Sequence, residues 1–372
     1  MKPDRRLTLS DFDFELPPEL IAQRPVAVRG ESRLLSVCRS VGRSARRSGG
    51  PSVSRSHPSD SSDSSDSSDL FDLKFSDLPT LIPGGDLLVL NTTRVRHARF
   101  LGTRPSGAPA EVLLIHPGTE GTWIAMGKPG SAMQPGKRIR IGPDVFVETV
   151  AVLDDGNREV RFVGMTAEEA IASFGRLPLP PYVARDPDQS DEDRYQTVYA
   201  DREGSVAAPT AGLHFTPQLL AALRSTGIRL GTLDLEVGPG TFKPVEAERL
   251  SGHVMHPERF HITADLAQAV TETRTAGGHV WAVGTTVARA LESAAERGGR
   301  VRATSEETRL FITPGYKFRV VDRLVTNFHL PRSTLLMLVS AFAGLELTRA
   351  AYQHAIAQRY RFYSYGDAMV IS

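Results

Sequence analysis

Four histidines stand where the neighbouring residues give an imidazole something to do. His214 closes Gly204-Ser-Val-Ala-Ala-Pro-Thr-Ala-Gly-Leu-His214-Phe215, a run of small residues, hydroxyls and one proline with neither a helical nor a strand period. His253 and His256 form a His-x-x-His pair, and His329 lies in Thr326-Asn-Phe-His-Leu-Pro331, just ahead of an apolar helix. Imidazoles titrate near neutral pH, so each can accept or deliver a proton. The His-x-x-His pair also has a metal-ligand spacing. It lacks the glutamate of a zinc-protease helix, and Cys38 is the single cysteine, so no thiolate site can be completed and no metal is expected. Gly284-Thr285-Thr286 joins a strand to a helix and would turn free N–H groups and the positive dipole end towards a carboxylate or phosphate; a simply capped helix reads the same way. The Thr326–Pro331 stretch, Asn327 included, has the same two readings, ligand contact or helix cap. At the C-terminus, Arg359 and Arg361 interleave with Tyr363 and Tyr365. That pattern suits stacking on exposed bases with phosphate contacts, and equally a core strand with alternating faces.

The elements that must hold these groups are legible in part. After His214, Thr216 can cap and Pro217 can open a helix with Leu219, Leu220 and Leu223 as its apolar stripe, stopped by Gly227. Ile228 to Val237 reads as a strand ending in the loop Gly238-Pro-Gly-Thr-Phe242. His279 to Val283 reads as a strand, Val287 to Arg297 as a helix, and Ser333 to Ala343 as an apolar helix. Loops at neighbouring strand ends form the crevice in which open α/β sheets bind ligands. Between Arg96 and Val163 short apolar runs follow one another across Gly/Pro turns with no helix between them, the texture of a small barrel or sandwich. The fold expected is a layered α/β main domain with an inserted small β-barrel: residues 1–95 begin the α/β domain, 96–164 form the barrel and 165–372 complete the catalytic part. Within the first part, residues 36–69 are low-complexity, arginine-rich then Ser-Asp repeats, and are expected to be a disordered, solvated insertion.

Composition narrows the function classes. A chain of 372 residues with 40% hydrophobic and 23% charged residues has the make-up of a globular protein, and a net charge of +1 gives no global pull towards polyanions. The most apolar run, Leu335 to Ala343, is far short of the ~20 residues of a membrane span, and the N-terminus lacks a signal-peptide core, so a cytoplasmic protein without membrane contact is expected. No Walker loop, dinucleotide fingerprint or Gly-x-Ser-x-Gly elbow occurs.

Taken together, GSVAAPTAGLHFTPQLL, LEVGPGTFKPV, HVMHPERF, VGTTVARALES, LVTNFHLPRSTLLMLVSAFAG and YRFYSYGDAM resemble the S-adenosylmethionine:tRNA ribosyltransferase-isomerase family of queuosine biosynthesis. DFDFELPPELIAQRP, GDLLVLNTTRV and LPLPPY resemble its earlier blocks, so the likeness spans nearly the whole chain outside 36–69. The resemblance implies transfer of the ribosyl part of S-adenosylmethionine to 7-aminomethyl-7-deazaguanine at the tRNA wobble position, with loss of adenine and methionine. S-adenosylmethionine is then a consumed substrate and no cofactor is implied. The partner would be precursor-bearing tRNA, and the working unit is expected to be a monomer. The chemistry calls for a base, a proton donor and a neutral amine, for which His214, His253, His256 and His329 are the candidates, with Asp367 and Glu292 as carboxylate partners. Gly284, Thr285, Thr286 and Asn327 are expected to hold the methionine carboxylate or ribose, Pro209, Thr210, Gly212, Gly240 and Thr241 to wrap the nucleoside, and Arg94, Arg359, Arg361, Tyr363 and Tyr365 to meet the RNA. Val287, Ala290, Gly252 and Thr92 depart from the residues usual in the family. A methyltransferase acting on RNA and a non-catalytic RNA-binding protein are the alternatives; ribose-labelled against methyl-labelled donor separates the first, and free adenine the second.

Overall fold

The run Leu-Leu-Val-Leu at 87–90 is too apolar for a surface strand, and the computed structural model, which describes residues 7–39, 69–242, 250–253 and 255–372, buries all of it at the middle of a sheet. Along the chain, β1 (Arg33–Val37) and β2 (Leu70–Lys74) form an antiparallel hairpin. The short helix α1 (Leu78–Leu81) leads into β3 (Leu87–Asn91) and β4 (Thr93–Val95). Six strands then follow with turns and one short 3-10 turn between them: β5 (Arg99–Thr103), β6 (Pro109–Pro117), β7 (Trp123–Lys128), β8 (Arg138–Gly142), β9 (Val145–Val152) and β10 (Arg158–Val163). Helices α2 (Ala167–Phe174) and α3 (Gln189–Arg194) lead back to β11 (Arg202–Ser205), which pairs with β4. From there strands and helices alternate: α4 (Pro217–Ser225), β12 (Arg229–Leu235), β13 (Glu258–Ile262), α5 (Ala264–Thr275), β14 (Val280–Val283), α6 (Thr285–Ser293), β15 (Thr304–Thr308), β16 (Arg323–Asn327), α7 (Thr334–Ala343), α8 (Leu345–Ala357) and β17 (Ala368–Ile371).

The main sheet has nine strands in the order β15-β13-β12-β3-β14-β16-β17-β1-β2. Its centre, β12, β3, β14 and β16, is parallel throughout, so the chain leaves all four strands along one edge. β17 runs antiparallel to β16 and parallel to β1. Side chains alternate faces along each strand and so divide two cores. Leu87, Val89, Val280 and Ala282 face α5 to α8, whereas Leu88, Leu90, Trp281 and Val283 face α1 and α4. The second class of pattern, strands without helices, closes on itself as the ring β10-β7-β6-β5-β8-β9 around Phe100, Val112, Leu114, Val147 and Val160. Ala167 and Ala170 of α2 pack into that same cluster. The chain is therefore a mixed α/β protein. No single helix among the described residues is long and apolar enough to cross a membrane.

Two expectations need correction. The low-complexity stretch does not begin at Ser36, because Ser36 and Val37 are strand residues paired with Phe71 and Leu70, and the Cys38 amide donates to the Asp69 carbonyl (2.8 Å). Arg39 is held too: its guanidinium donates to the carbonyls of Asp322 (2.7 Å) and Ser372 (3.4 Å) and stacks over Phe342. The expectation of disorder for the remainder, 40–68, falls outside the described residues. Since the hairpin ends already meet, a short turn can replace 40–68 at little loop-closure cost, and its deletion should leave tRNA modification within about twofold of the full chain. A drop of an order of magnitude in initial rate would count against this. The second correction concerns α6, which begins at Thr285 and ends at Ser293, two residues before and four before the expected limits. Gly284 explains the start: at φ 94°, ψ 151° it occupies a region open essentially to glycine alone, and it turns the chain straight from β14 into the helix.

Candidate functional site

A cavity opens at the edge where β14 and β16 end, walled by the turn Pro209–Ala211, the start of α6, Thr326 to Leu330, and the rings of Tyr182 and Tyr363. The register explains why these segments meet. Val283 pairs with Val325 and the Gly284 amide extends the ladder to the Val325 carbonyl (2.7 Å), so Thr285 and Asn327 leave adjacent strands side by side. None of the residues lining the cavity carries a formal charge when its histidine is neutral.

The first turn of α6 faces this space. Helices leave their leading N–H groups without intrahelical acceptors, and Gly284, having no side chain, supplies no cap. By contrast Thr166, Asp188, Thr216, Thr263 and Ser333 each cap their own helix. The buried Arg289–Glu258 ion pair and the Arg289 bond to the Leu310 carbonyl (3.0 Å) anchor the helix farther along. Gly284→Ala should destabilise the protein by about 1–3 kcal/mol, the usual cost of forcing a side chain into such a backbone, and move the first turn of α6. Denaturant unfolding checks it; an unchanged midpoint would show that the turn tolerates a Cβ.

Hydrogen bonds fix the state of His214. Asn327 Nδ2 donates to the Tyr363 carbonyl (3.1 Å), which settles which end of the amide is nitrogen, and its second N–H points at His214 Nε2 (3.2 Å). Nε2 must then accept, so the proton sits on Nδ1 and is donated to Ser32 Oγ (2.6 Å). Burial pushes His214 down to about 3, with the cations Arg361 and Arg29 adding to the effect. Stacked on Phe75 at 4.8 Å, it stands one residue behind the cavity wall. Both its ring nitrogens are engaged, and it does not line the cavity. Tyr363 is gripped from both sides, its amide donating to the Phe328 carbonyl, and takes a left-handed φ of 72° that bulky residues rarely adopt.

His329 does line the cavity. Its Nε2 contacts Thr326 Oγ1 (2.7 Å), its backbone amide donates to Tyr352 Oη (2.9 Å), and burial alone pushes the imidazole down to about 3. A neutral imidazole that lines a cavity can serve as a proton acceptor.

The remaining candidates divide between the cavity and other places in the fold. Glu292 is a buried carboxylate that accepts from the amides of Arg319, Val320 and Val321 (each 2.9 Å) and from Tyr316 Oη (3.1 Å), so it buttresses the loop before β16. Asp367 accepts from the amides of Arg361 (2.8 Å) and Arg33 (3.0 Å), fixing the C-terminal loop against β1. Both are buttressing carboxylates outside the cavity. His253 packs edge-on against Phe311 and its pKa is lowered by burial, then by His256, which is exposed; neither lines the cavity. Pro209 and Thr210 line it, whereas Gly212 is there because a Cβ would fall 2.3 Å from Tyr199 Oη. Gly240 sits against His256, and the side chain of Thr241 lies outside the described set. Tyr365 is buried, but in a turn ahead of β17 and not in a core strand, and its hydroxyl donates to Asp191 (2.6 Å). Tyr363 lines the cavity. Arg361 is tied to Asp367 and the Arg24 carbonyl, and the exposed Arg94 donates to the Ala200 carbonyl (2.9 Å); Arg359 is exposed. Sequence reasoning gave no part to Ser32, Tyr182 or Ser364. Ser32 lies 182 residues from its histidine with no local signal, and Tyr182 showed only as the end of a proline-rich stretch.

Among known proteins, residues 9–371 match the family model described as queuosine biosynthesis protein. Two relatives named S-adenosylmethionine:tRNA ribosyltransferase-isomerase, from Ralstonia pickettii and Paraburkholderia phytofirmans, are each 51% identical over 98% of this chain and 95% and 99% of their own. A solved structure, the S-adenosylmethionine tRNA ribosyltransferase of Thermotoga maritima, is similar with a TM-score of 0.52 at 32% identity, covering 97% of this chain and all of that one.

Proposed function

Since the chain belongs to the queuosine biosynthesis family of S-adenosylmethionine:tRNA ribosyltransferase-isomerases, we propose that the cavity between the start of α6 and Asn327–His329 is where it carries out that family's reaction. The enzyme transfers and isomerises the ribosyl moiety of S-adenosylmethionine onto 7-aminomethyl-7-deazaguanine in tRNA, releasing adenine and methionine. The observation that carries the site assignment is the meeting, at one edge of the parallel strands, of an uncapped helix N-terminus and a neutral buried histidine.

In this reading the methionine carboxylate lies at the first turn of α6 and the sulfonium lies against the Tyr182 and Tyr363 rings, whose centroids are 4.6 Å apart. His329, with Nε2–H given to Thr326, takes a proton from the ribose 5′ carbon next to sulfur through Nδ1. The electron pair left on that carbon breaks the ring C4′–O bond, and the freed oxygen becomes the C1′ carbonyl as adenine leaves with the proton held by the imidazolium. The neutral amine of the modified base attacks the opened skeleton, from which methionine departs as a thioether with the C5′–S electron pair. Burial secures a neutral imidazole; its basicity in the complex is set by the ligand, the carboxylate raising it and the sulfonium lowering it. The ring β5–β10 and α2 are read as an inserted barrel domain, and the exposed Arg94 and Arg359 as contacts to tRNA phosphates. A monomer is proposed as the working unit, and a tRNA substrate supports a cytoplasmic setting.

Incubation with precursor-bearing tRNA and S-adenosylmethionine, followed by nucleoside mass analysis and a count of free adenine, tests the activity. One adenine per modified tRNA is expected, with label retained from ribose and lost from the methyl group. Methyl transfer without adenine would refute it.

A further inference from the structure

Asn327 is 1% exposed, lines the cavity, and has one atom, Oδ1, without a hydrogen-bond partner. Its nitrogen is used twice, at Tyr363 and His214, and the His214 proton is in turn given to Ser32, so the amide cannot turn over without setting its oxygen against a carbonyl. A buried acceptor left unmatched costs stability, and the described residues supply it with no donor. Beside it, in strand register, stands the uncapped first turn of α6. An acceptor and an anion-binding helix end on adjacent strands match a group that carries N–H donors and a carboxylate on one carbon.

We propose that Asn327 Oδ1 and the first turn of α6 together read an α-amino acid, the amide oxygen taking the ammonium and the helix end the carboxylate, with Ser32 and His214 as positioning residues that lock the amide. The inference rests on the assignment of this cavity to S-adenosylmethionine and adds what is recognised in it. The methionine end of the substrate is read by its ammonium, and His214 acts on binding through Asn327 without touching the ligand.

Calorimetric titration with three probes tests it: S-adenosylmethionine, its 2-oxo analogue, which keeps the carboxylate and loses the ammonium, and decarboxylated S-adenosylmethionine, which does the reverse. Wild-type protein should bind the parent compound about 10–100-fold more tightly than the 2-oxo analogue, the range for a hydrogen bond to a charged group. Asn327→Ala should erase that preference. His214→Ala should weaken it, and His214→Gln should restore it, because glutamine can accept from Asn327 and donate to Ser32; a merely structural role for His214 would weaken all three probes alike. Equal binding of the parent and the 2-oxo analogue by the wild type overturns the inference without reference to any variant's folding. If Thr286→Tyr, which fills the cavity, weakens binding while the ammonium preference is absent, only this inference fails. If Thr286→Tyr leaves binding unchanged, the ligand lies elsewhere and the site assignment fails with it.

Discussion

His329→Ala should lower turnover by about 10²–10⁴-fold, the usual worth of a positioned proton acceptor, while leaving affinity for S-adenosylmethionine nearly unchanged. The expectation follows from placement. Of the four histidines, His329 lines the cavity, His214 is locked behind Asn327, and His253 and His256 stand apart. Two readouts separate a lost base from a lost fold. The variant should melt like the wild type once the smaller core is allowed for, and it should fail to exchange the 5′ protons of S-adenosylmethionine with solvent deuterium, which the wild type should do. A variant that turns over within about fivefold of the parent would remove His329 from the chemistry and leave the substrate's own groups as the base.

Stability should fall steeply with acid before the carboxylates titrate. His214 and His329 are both held near 3 by burial, whereas in the unfolded chain they titrate near 6.5. Between those values the unfolded state binds more protons than the folded one, so the contribution is complete above pH 6.5 and is lost as pH falls through the window. At pH 5 each histidine has lost roughly 2 kcal/mol, about 4 kcal/mol for the pair, which is a large share of the net stability of an ordinary domain. For His214 burial is the main cause, and the cations Arg361 and Arg29 add to it. Chemical denaturation at pH 7 and pH 5 measures the difference. His214→Gln and His329→Gln together should flatten it, and a wild-type change below about 1 kcal/mol would mean that the rings gain protons within the folded protein.

Elements fixed by neighbours in sequence were legible before the structure. The apolar helix α7 was expected, although its cap is Ser333, which accepts from the Leu336 amide (3.2 Å), and not the Thr326–Pro331 stretch; Thr216 and Pro217 open α4 in the expected order, and the apolar run at 87–90 is the buried centre of the sheet. The ring strands were visible because turn residues punctuate them. Roles fixed across the fold were not. Glu292 looked like a partner for an imidazole because its type allows it, yet backbone amides 27 to 29 residues later claim both its oxygens. Asp367 is claimed by Arg33, 334 residues away in sequence. His214 was found by its loop, but its protonation was decided by Ser32 and Asn327, which no local pattern joins to it. Residue type announces what chemistry is possible. Partners decide which of it remains.

The account stands on one location, and crystals grown with S-adenosylmethionine or its unreactive thioether test that location directly. The ligand should appear at the edge where β14 and β16 end, its carboxylate at Thr285 and Thr286 and its ammonium on Asn327 Oδ1. Density confined to the groove lined by Arg99, Glu111, Leu179 and Arg185, between the ring and the segment 179–186, would contradict it.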